Sequence, residues 1–420
     1  LPTGGGQNSV DFVATGTLAS GQAVALKTDG TVEAVTATVT SSSKGSQSTF
    51  DTNITSYTRL AYDTANDKIV AIWRTNVVGD YGYAAVGTVS GTSISWGTRV
   101  VFNSAVTESG RIAYDASSGK VIIVFNHTNS QGNAIVGTVS GTSISFGSKG
   151  NFISGSYNSA SIVYDASAGK CLLSFTDASD GNKGKSTVVS VSGGTSVSFG
   201  TISTFDSANL REVSSGYSSV ASKVVISYRD LGSSDQQAVV ATVSGTSVSF
   251  GSPVQASSSA FSRCSVGYDA NADKIVIAGR DASAASGKAV VGTISGTSIS
   301  FGATVTFESD SINFPSVVYD SQAKQAVITF DNETEGRVGY VIPCVISGTT
   351  LTFGSRFAFL ASGCEQPSSA YDPDTNQIIT AFLNSSNNGG SIAVTLGYTV
   401  TNYTSFIGIT AEAISSAATG

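Results

Sequence analysis

Apolar and polar residues alternate along this chain in short runs with a period of two. Lys120–Phe125 reads K-V-I-I-V-F, Ala134–Ser140 reads A-I-V-G-T-V-S and Ser143–Gly147 reads S-I-S-F-G. Val, Ile, Thr and aromatic residues fill these runs, and Gly, Asp, Asn and Ser fill the gaps, as in D-A-S-S-G-K at Asp115–Lys120. Such runs bounded by turn formers predict β-strands. No stretch carries a helical period.

The runs recur. Tyr-Asp stands at Tyr62, Tyr114, Tyr164, Tyr268, Tyr319 and Tyr371, and Tyr217-Ser218 fills the gap, with spacings of 52, 50, 53, 51, 51 and 52 residues. Eleven residues after each Tyr comes Trp73, Phe125, Phe175, Tyr228, Gly279, Phe330 or Phe382. Each repeat holds four strand-like runs, A to D. Strand A ends at Tyr-Asp, strand B carries the ring, and strands C and D flank an S-G-T turn. Four strands per ~50 residues, repeated, is the pattern of a β-propeller.

Strand D has its own mark, a Gly followed five residues later by a Phe: Gly97/Phe102, Gly147/Phe152, Gly200/Phe205, Gly302/Phe307 and Gly354/Phe359, with Gly251/Ala256 as the exception. The seventh repeat has no such pair after it, yet Gly45/Phe50 precedes the first. The expected fold is therefore all-β: a seven-bladed propeller over residues 37–400, its last blade shared between the chain ends, which removes an open sheet edge. Residues 1–36 and 401–420 are expected to form a small terminal β-domain. The turn-like end at A-A-T-G suggests that the native polypeptide continues.

Composition narrows the function. Charged residues are 12% of the chain, about half the usual share of roughly 25%. The net charge of −7 argues against a general nucleic-acid binder. A single histidine, His127, excludes multi-histidine metal sites. The absence of methionine, even at position 1, leads to the expectation of a processed chain or a fragment. No apolar run reaches the ~18 residues of a membrane helix. No cofactor is expected. Of the four cysteines, Cys171, Cys264, Cys344 and Cys364, only Cys344 with Cys364 is a candidate disulfide.

The segments A-V-V-G-T-I-S-G-T-S-I-S-F-G (Ala289–Gly302) and Y-D-A-N-A-D-K-I-V-I-A (Tyr268–Ala278) resemble the repeats of tail-fibre or virion appendage proteins of marine and cyanobacterial bacteriophages. The end, T-S-F-I-G-I-T-A-E-A-I-S-S-A-A-T-G, is similar to the module that follows such propellers. The resemblance covers residues ~37–420 and departs from the pattern at Ser218 and Lys44. It implies a place on a virion surface. The expected partners are other virion or filament subunits, docking through residues 1–36 and 401–420. It implies no catalytic residue, and enzymatic activity is not expected.

Comparing the repeats with one another separates scaffold from variable surface. The A–B and C–D turns share one face. The A–B turns are nearly uniform, with Lys68, Lys120, Lys170, Lys223 and Lys274 recurring, which reads either as a cationic ring or as capped turns with exposed lysines. The S-G-T turns suggest sialidase Asp-boxes but lack their Asp and Trp.

The other face varies. Strand B ends in Arg74-Thr75, Asn126-His127, Thr176-Asp177, Arg229-Asp230, Arg280-Asp281, Asp331-Asn332 and Leu383-Asn384. The expected binding rim is Arg74, Asn126, His127, Asp177, Arg229, Asp230, Arg280, Asp281, Asp331, Asn332 and Asn384. Such side chains suit sugar hydroxyls and carboxylates through directed hydrogen bonds. The competing reading is a solvated rim of inter-blade contacts. Asp177 with Asp180, or Asp331 with Glu333 and Glu335, is a weaker candidate for Ca²⁺.

Three functions follow as expectations. The first is an appendage that presents the variable face to a host-surface glycan. The second is a purely structural capsid or tail decoration, or an extracellular filament subunit. The third is a glycan-cleaving enzyme, for which no carboxylate pair stands out.

Overall fold

The computed structural model describes residues 13–19, 23–35, 37–77, 79–127, 131–401 and 408–409. The chain divides into two units, Ser43–Thr395 and a terminal unit drawn from Leu1–Ser42 and Leu396–Gly420. In the terminal unit Ala23–Leu26 lies between Val32–Ala34 and Gly408–Ile409, and Ala37–Val39 pairs with Thr399–Thr401. A small core of Ala14, Leu18, Val24 and Val32 holds its first part. Most of the expected docking segments, residues 1–12 and 410–420 among them, lie outside the described residues.

The larger unit is a repeat of antiparallel four-stranded sheets, propeller-like in design. In the second repeat, strand A is Thr107–Asp115, B is Lys120–His127 and C is Gln131–Ser140. Strand D is split into Ser143–Phe146 and Gly150–Ile153, both paired to C, where the sequence suggested one continuous run. The break falls at the recurring glycine. Gly147 N–H donates to the Val136 carbonyl at 3.0 Å, and Gly97, Gly200, Gly251, Gly302 and Gly354 make the same bond in their repeats.

The glycine has a steric cause. A Cβ on Gly147 would lie 1.7 Å from the Thr195 carbonyl oxygen, which belongs to the S-G-T turn of the next repeat. Gly97, Gly200, Gly251 and Gly302 face Thr142, Thr246, Thr297 and Thr349 in the same way, at 1.9–2.1 Å. Each outer strand thus packs backbone against backbone on its neighbour.

The Phe that follows fills the next gap. Phe102, Phe152, Phe205 and Phe307 meet the strand-B rings Phe125, Phe175, Tyr228 and Phe330 of the following repeat edge-on or tilted, 5.2–5.3 Å between centroids. The other side of each ring lies over a strand-C glycine: a Cβ on Gly82, Gly132, Gly184 or Gly287 would meet it at 2.2–2.5 Å.

The one exception changes at three places together. Phe becomes Ala256, the strand-B ring becomes Gly279, and the strand-C glycine becomes Gln236. Phe261 fills the space over Gly279, and the Gln236 side chain is buried, accepting the Phe261 N–H at 3.1 Å and donating to Ser227 Oγ at 2.8 Å. Restoring the ring alone, Ala256→Phe, should overpack this site and cost about 1–3 kcal/mol in a denaturant titration.

The chain ends meet on these same terms. Ser43–Lys44 and Ser48–Ser391, Thr49–Gly390 and Asp51–Gly389 pairings place the first strands on Asn388–Thr395. Gly45 N–H donates to the Ala393 carbonyl, and a Cβ on Gly45 would lie 1.8 Å from the Thr92 carbonyl oxygen. Phe50 lies over Gly389 and against Trp73, 4.8 Å between centroids. The strand Ser48–Asp63 serves two repeats, so the seventh and first share one nine-stranded sheet.

The A–B turns are Asx turns. Asp63, Asp115, Asp165, Asp269, Asp320 and Asp372 each accept the N–H two residues on at 2.9–3.0 Å, and Ser218 Oγ accepts Ala221 N–H in the repeat without Asp. Lys68 and Lys274 donate to carbonyls of their own turns. The cysteines are a correction: all four are free thiols, Cys344 and Cys364 included, and burial raises the pKa of each. Cys364 donates its N–H to the Arg337 carbonyl and its Sγ lies beside Gly339, five residues from Cys344 along the strand Val338–Ser347, or about 17 Å at roughly 3.3 Å per residue, too far for a disulfide.

Candidate functional site

Strand A of every repeat lines one shared space, and in all seven repeats its pairing with strand B slips five or so residues before the Tyr. A bulge re-aims a side chain at the cost of a ladder bond. In six repeats the bulged residue is a non-glycine at positive φ: Tyr57, Ser109, Glu212, Arg263, Phe314 and Gln366. Ser159 holds the seventh place. Such backbone costs of order 1–3 kcal/mol each and is easiest for glycine, so a side chain kept there points to a use for it.

These residues interlock around one mouth. Tyr57 N–H donates to Gln366 Oε1 at 3.0 Å, Arg263 N–H to Glu212 Oε2 at 2.8 Å and Val213 N–H to Ser159 Oγ at 2.8 Å. The Arg263 guanidinium sits 4.1 Å from the Phe314 ring centroid, and Arg74 sits 5.0 Å from that of Tyr57. Below the mouth lies a cavity of about 630 Å³, lined by strand A of all seven repeats. Its charged residues are Arg59, Arg111, Arg211 and Arg263 against Glu212 alone, a net positive lining in a chain of net charge −7.

Three residues before each Tyr comes the second ring: Arg59, Arg111, Ser161, Ser214, Ser265, Ser316 and Ser368, all lining the cavity. Burial, and then the neighbouring Arg111, pull the Arg59 guanidinium down to about 9. Burial also lowers Arg111.

The expected rim residues stand one strand further out. Arg74, Asn126, Arg229, Arg280 and Asp331 pair across to Ser56, Glu108, Arg211, Ser262 and Asn313 of strand A. Several are spent within the fold. Asn126 is buried and bonds both the N–H and the carbonyl of Tyr157 in the next repeat. Asn126→Ala should cost about 1–3 kcal/mol by thermal or chemical unfolding.

Asp177 and Asp281 are buried caps of their loops. Burial opposes their charge, yet hydrogen bonds from Lys185 and Ser179, and from Lys288 and Ser283, hold both carboxyls below the usual range. Asn332 accepts Glu335 N–H, Asn384 accepts Ser386 N–H, and Asp230 accepts Gly232 N–H. His127 is half-buried, and burial lowers its pKa. Arg229 and Arg280 are half-buried with Nε unpartnered, and Asp331 is fully buried with neither carboxylate oxygen hydrogen-bonded.

The calcium reading is corrected. Asp177 and Asp180 both bind Lys185, at 2.7 and 2.8 Å, and Asp180 also binds Lys183 at 2.8 Å, so two ammonium groups balance the two carboxylates. Glu335 binds Arg356 at 2.6 Å and Glu333 accepts from Ser311. Among the described residues no three His, Cys, Asp or Glu converge.

The outward-facing sequence signal drew attention to strand B, whereas the cavity rings sit three and five residues before each Tyr. Aligning the seven repeats on that Tyr reveals them: one position is Arg or Ser throughout, the other changes chemistry almost every time.

No protein-family model matches this chain, and no curated protein matches it. Among solved structures the chain is similar to AofleA from Arthrobotrys oligospora, at 8% identity and a TM-score of 0.44, over 83% of this chain and 97% of that one. A triple arginine-to-alanine mutant of AofleA is similar at 9% identity and a TM-score of 0.45, over the same shares.

Proposed function

We propose that the protein is a seven-bladed β-propeller, closed by the pairing of residues 43–51 with 388–395, that serves as an appendage module on a bacteriophage virion. Its variable face binds a host-surface glycan. The observation that carries the binding role is the ring at the mouth: Tyr57, Ser109, Ser159, Glu212, Arg263, Phe314 and Gln366. One structural position bears six chemistries, in six cases on backbone that glycine would occupy more cheaply. The opposite face repeats one Asx turn with little change. Variation on a fixed frame is how binding surfaces are built. The virion assignment rests on the resemblance of the repeats.

Labelled protein incubated with host cells tests this. Tyr57→Gly, Arg263→Gly and Phe314→Gly should leave stability within about 1 kcal/mol, because strain relief offsets the added freedom of the unfolded chain. Each should reduce adsorption. Full adsorption by the folded triple variant excludes this mouth as the contact surface.

A further inference from the structure

We propose that the central cavity holds an oxyanion, a carboxylate, sulfate or phosphate group, between the Arg59 and Arg111 guanidinium groups and the serine hydroxyls at the same level. The proposal rests on the reading of this face as a ligand-binding one and supplies the chemistry of the ligand's charged group.

Arg59 and Arg111 occupy equivalent places on adjacent A strands. Each spends one donor on the carbonyl of the preceding residue, Nη1 to Thr58 O at 2.7 Å and Nη1 to Gly110 O at 2.9 Å. A guanidinium carries five N–H donors in a fixed fork, so most of each fork is unspent. Among the described residues neither arginine forms an ion pair. Two like charges facing one cavity, neither of them paired with a carboxylate, repel one another, and an anion bound between them removes the repulsion as well as satisfying the donors.

The serines continue the ring with the right polarity. Ser161, Ser214, Ser265 and Ser316 each accept an N–H from the next repeat's strand A, from Ser215, Val266, Val317 and Ser369, at 2.9–3.2 Å. A hydroxyl whose oxygen is occupied in this way keeps its O–H to donate. The ring at this level therefore offers donors from both residue types. The cavity's one carboxylate, Glu212, accepts the Arg263 N–H at the mouth.

Titration calorimetry at low ionic strength tests the site, with sodium sulfate, sodium phosphate, glucuronate and a sulfated disaccharide as probes and chloride as background. Saturable binding of one anion per chain is expected, weakened about tenfold or more for each guanidinium removed in Arg59→Gln and Arg111→Gln. Arg59→Lys, which keeps charge and loses the fork, should fall between. Tighter binding of the acidic sugars identifies a glycan's acidic group as the occupant, and equal binding identifies a free inorganic anion. Either result supports an oxyanion site. No saturable binding to the folded wild type, or equal binding by a folded double variant, overturns it. No cells are involved, so this experiment can fail while adsorption stands, and the reverse.

Discussion

Phe50→Ala should lower the unfolding free energy by about 3–5 kcal/mol, as much as the same change at Phe102 or Phe152. Phe50 lies some 340 residues from its strand-C partner Gly389 and fills the space between that glycine and Trp73. Its edge also meets Trp96, 5.3 Å between centroids. Truncation leaves a cavity lined by Gly389 and the Trp73 and Trp96 rings. Next to it, buried Asp51 accepts from Trp73 Nε1 at 2.7 Å and pairs with Arg99 at 2.6 Å, so the loss spreads through a polar contact as well. Denaturant unfolding of Phe50→Ala and Phe102→Ala side by side is the measurement. If Phe50→Ala costs under about 1 kcal/mol, residues 43–51 and 388–395 do not share a sheet in solution and the proposed ring closure is lost with it.

Raising the pH from about 5 to 9 should destabilise the wild type through Asp331, and Asp331→Asn should remove that component. Burial pushes the Asp331 carboxyl up to about 8, with Glu333 adding to the rise and Arg337 and Arg263 opposing it. The unfolded value is near 3.9. Between these values the folded state holds a proton that the unfolded state has released. Stability is therefore fully present below about 4 and declines as pH rises through the folded value. The effect should be on the order of a few kcal/mol, or a few degrees in Tm. Asp177 and Asp281 act the other way: their lowered pKa values stabilise above the unfolded value and are lost in acid. Thermal melts of both proteins from pH 5 to 9 decide it. Parallel curves would mean that Asp331 finds a partner in solution.

Much of the larger unit was readable beforehand. The Tyr-Asp spacing marked the repeats, and the Gly/Phe pair at Gly45/Phe50 marked where the first strand belongs, because each residue type answers a local demand. Glycine is needed where two backbones touch, and Phe where a strand-C glycine leaves room. The rim was readable as a position but not as a role. Asn126, Asp177 and Asp281 look like ligand-binding residues in one dimension, and their partners, Tyr157, Lys185 and Lys288, come from other strands.

The sequence by itself determined the strand content, the repeat length and the partner of the orphan outer strand, since side-chain alternation and steric need for glycine act within one repeat and its neighbour. Only the tertiary structure decided which polar groups are spent and which face a common space. Arg59, Arg111 and five serines are unremarkable one at a time. They become a ring of donors because seven A strands are brought side by side, and that convergence depends on how the sheets pack.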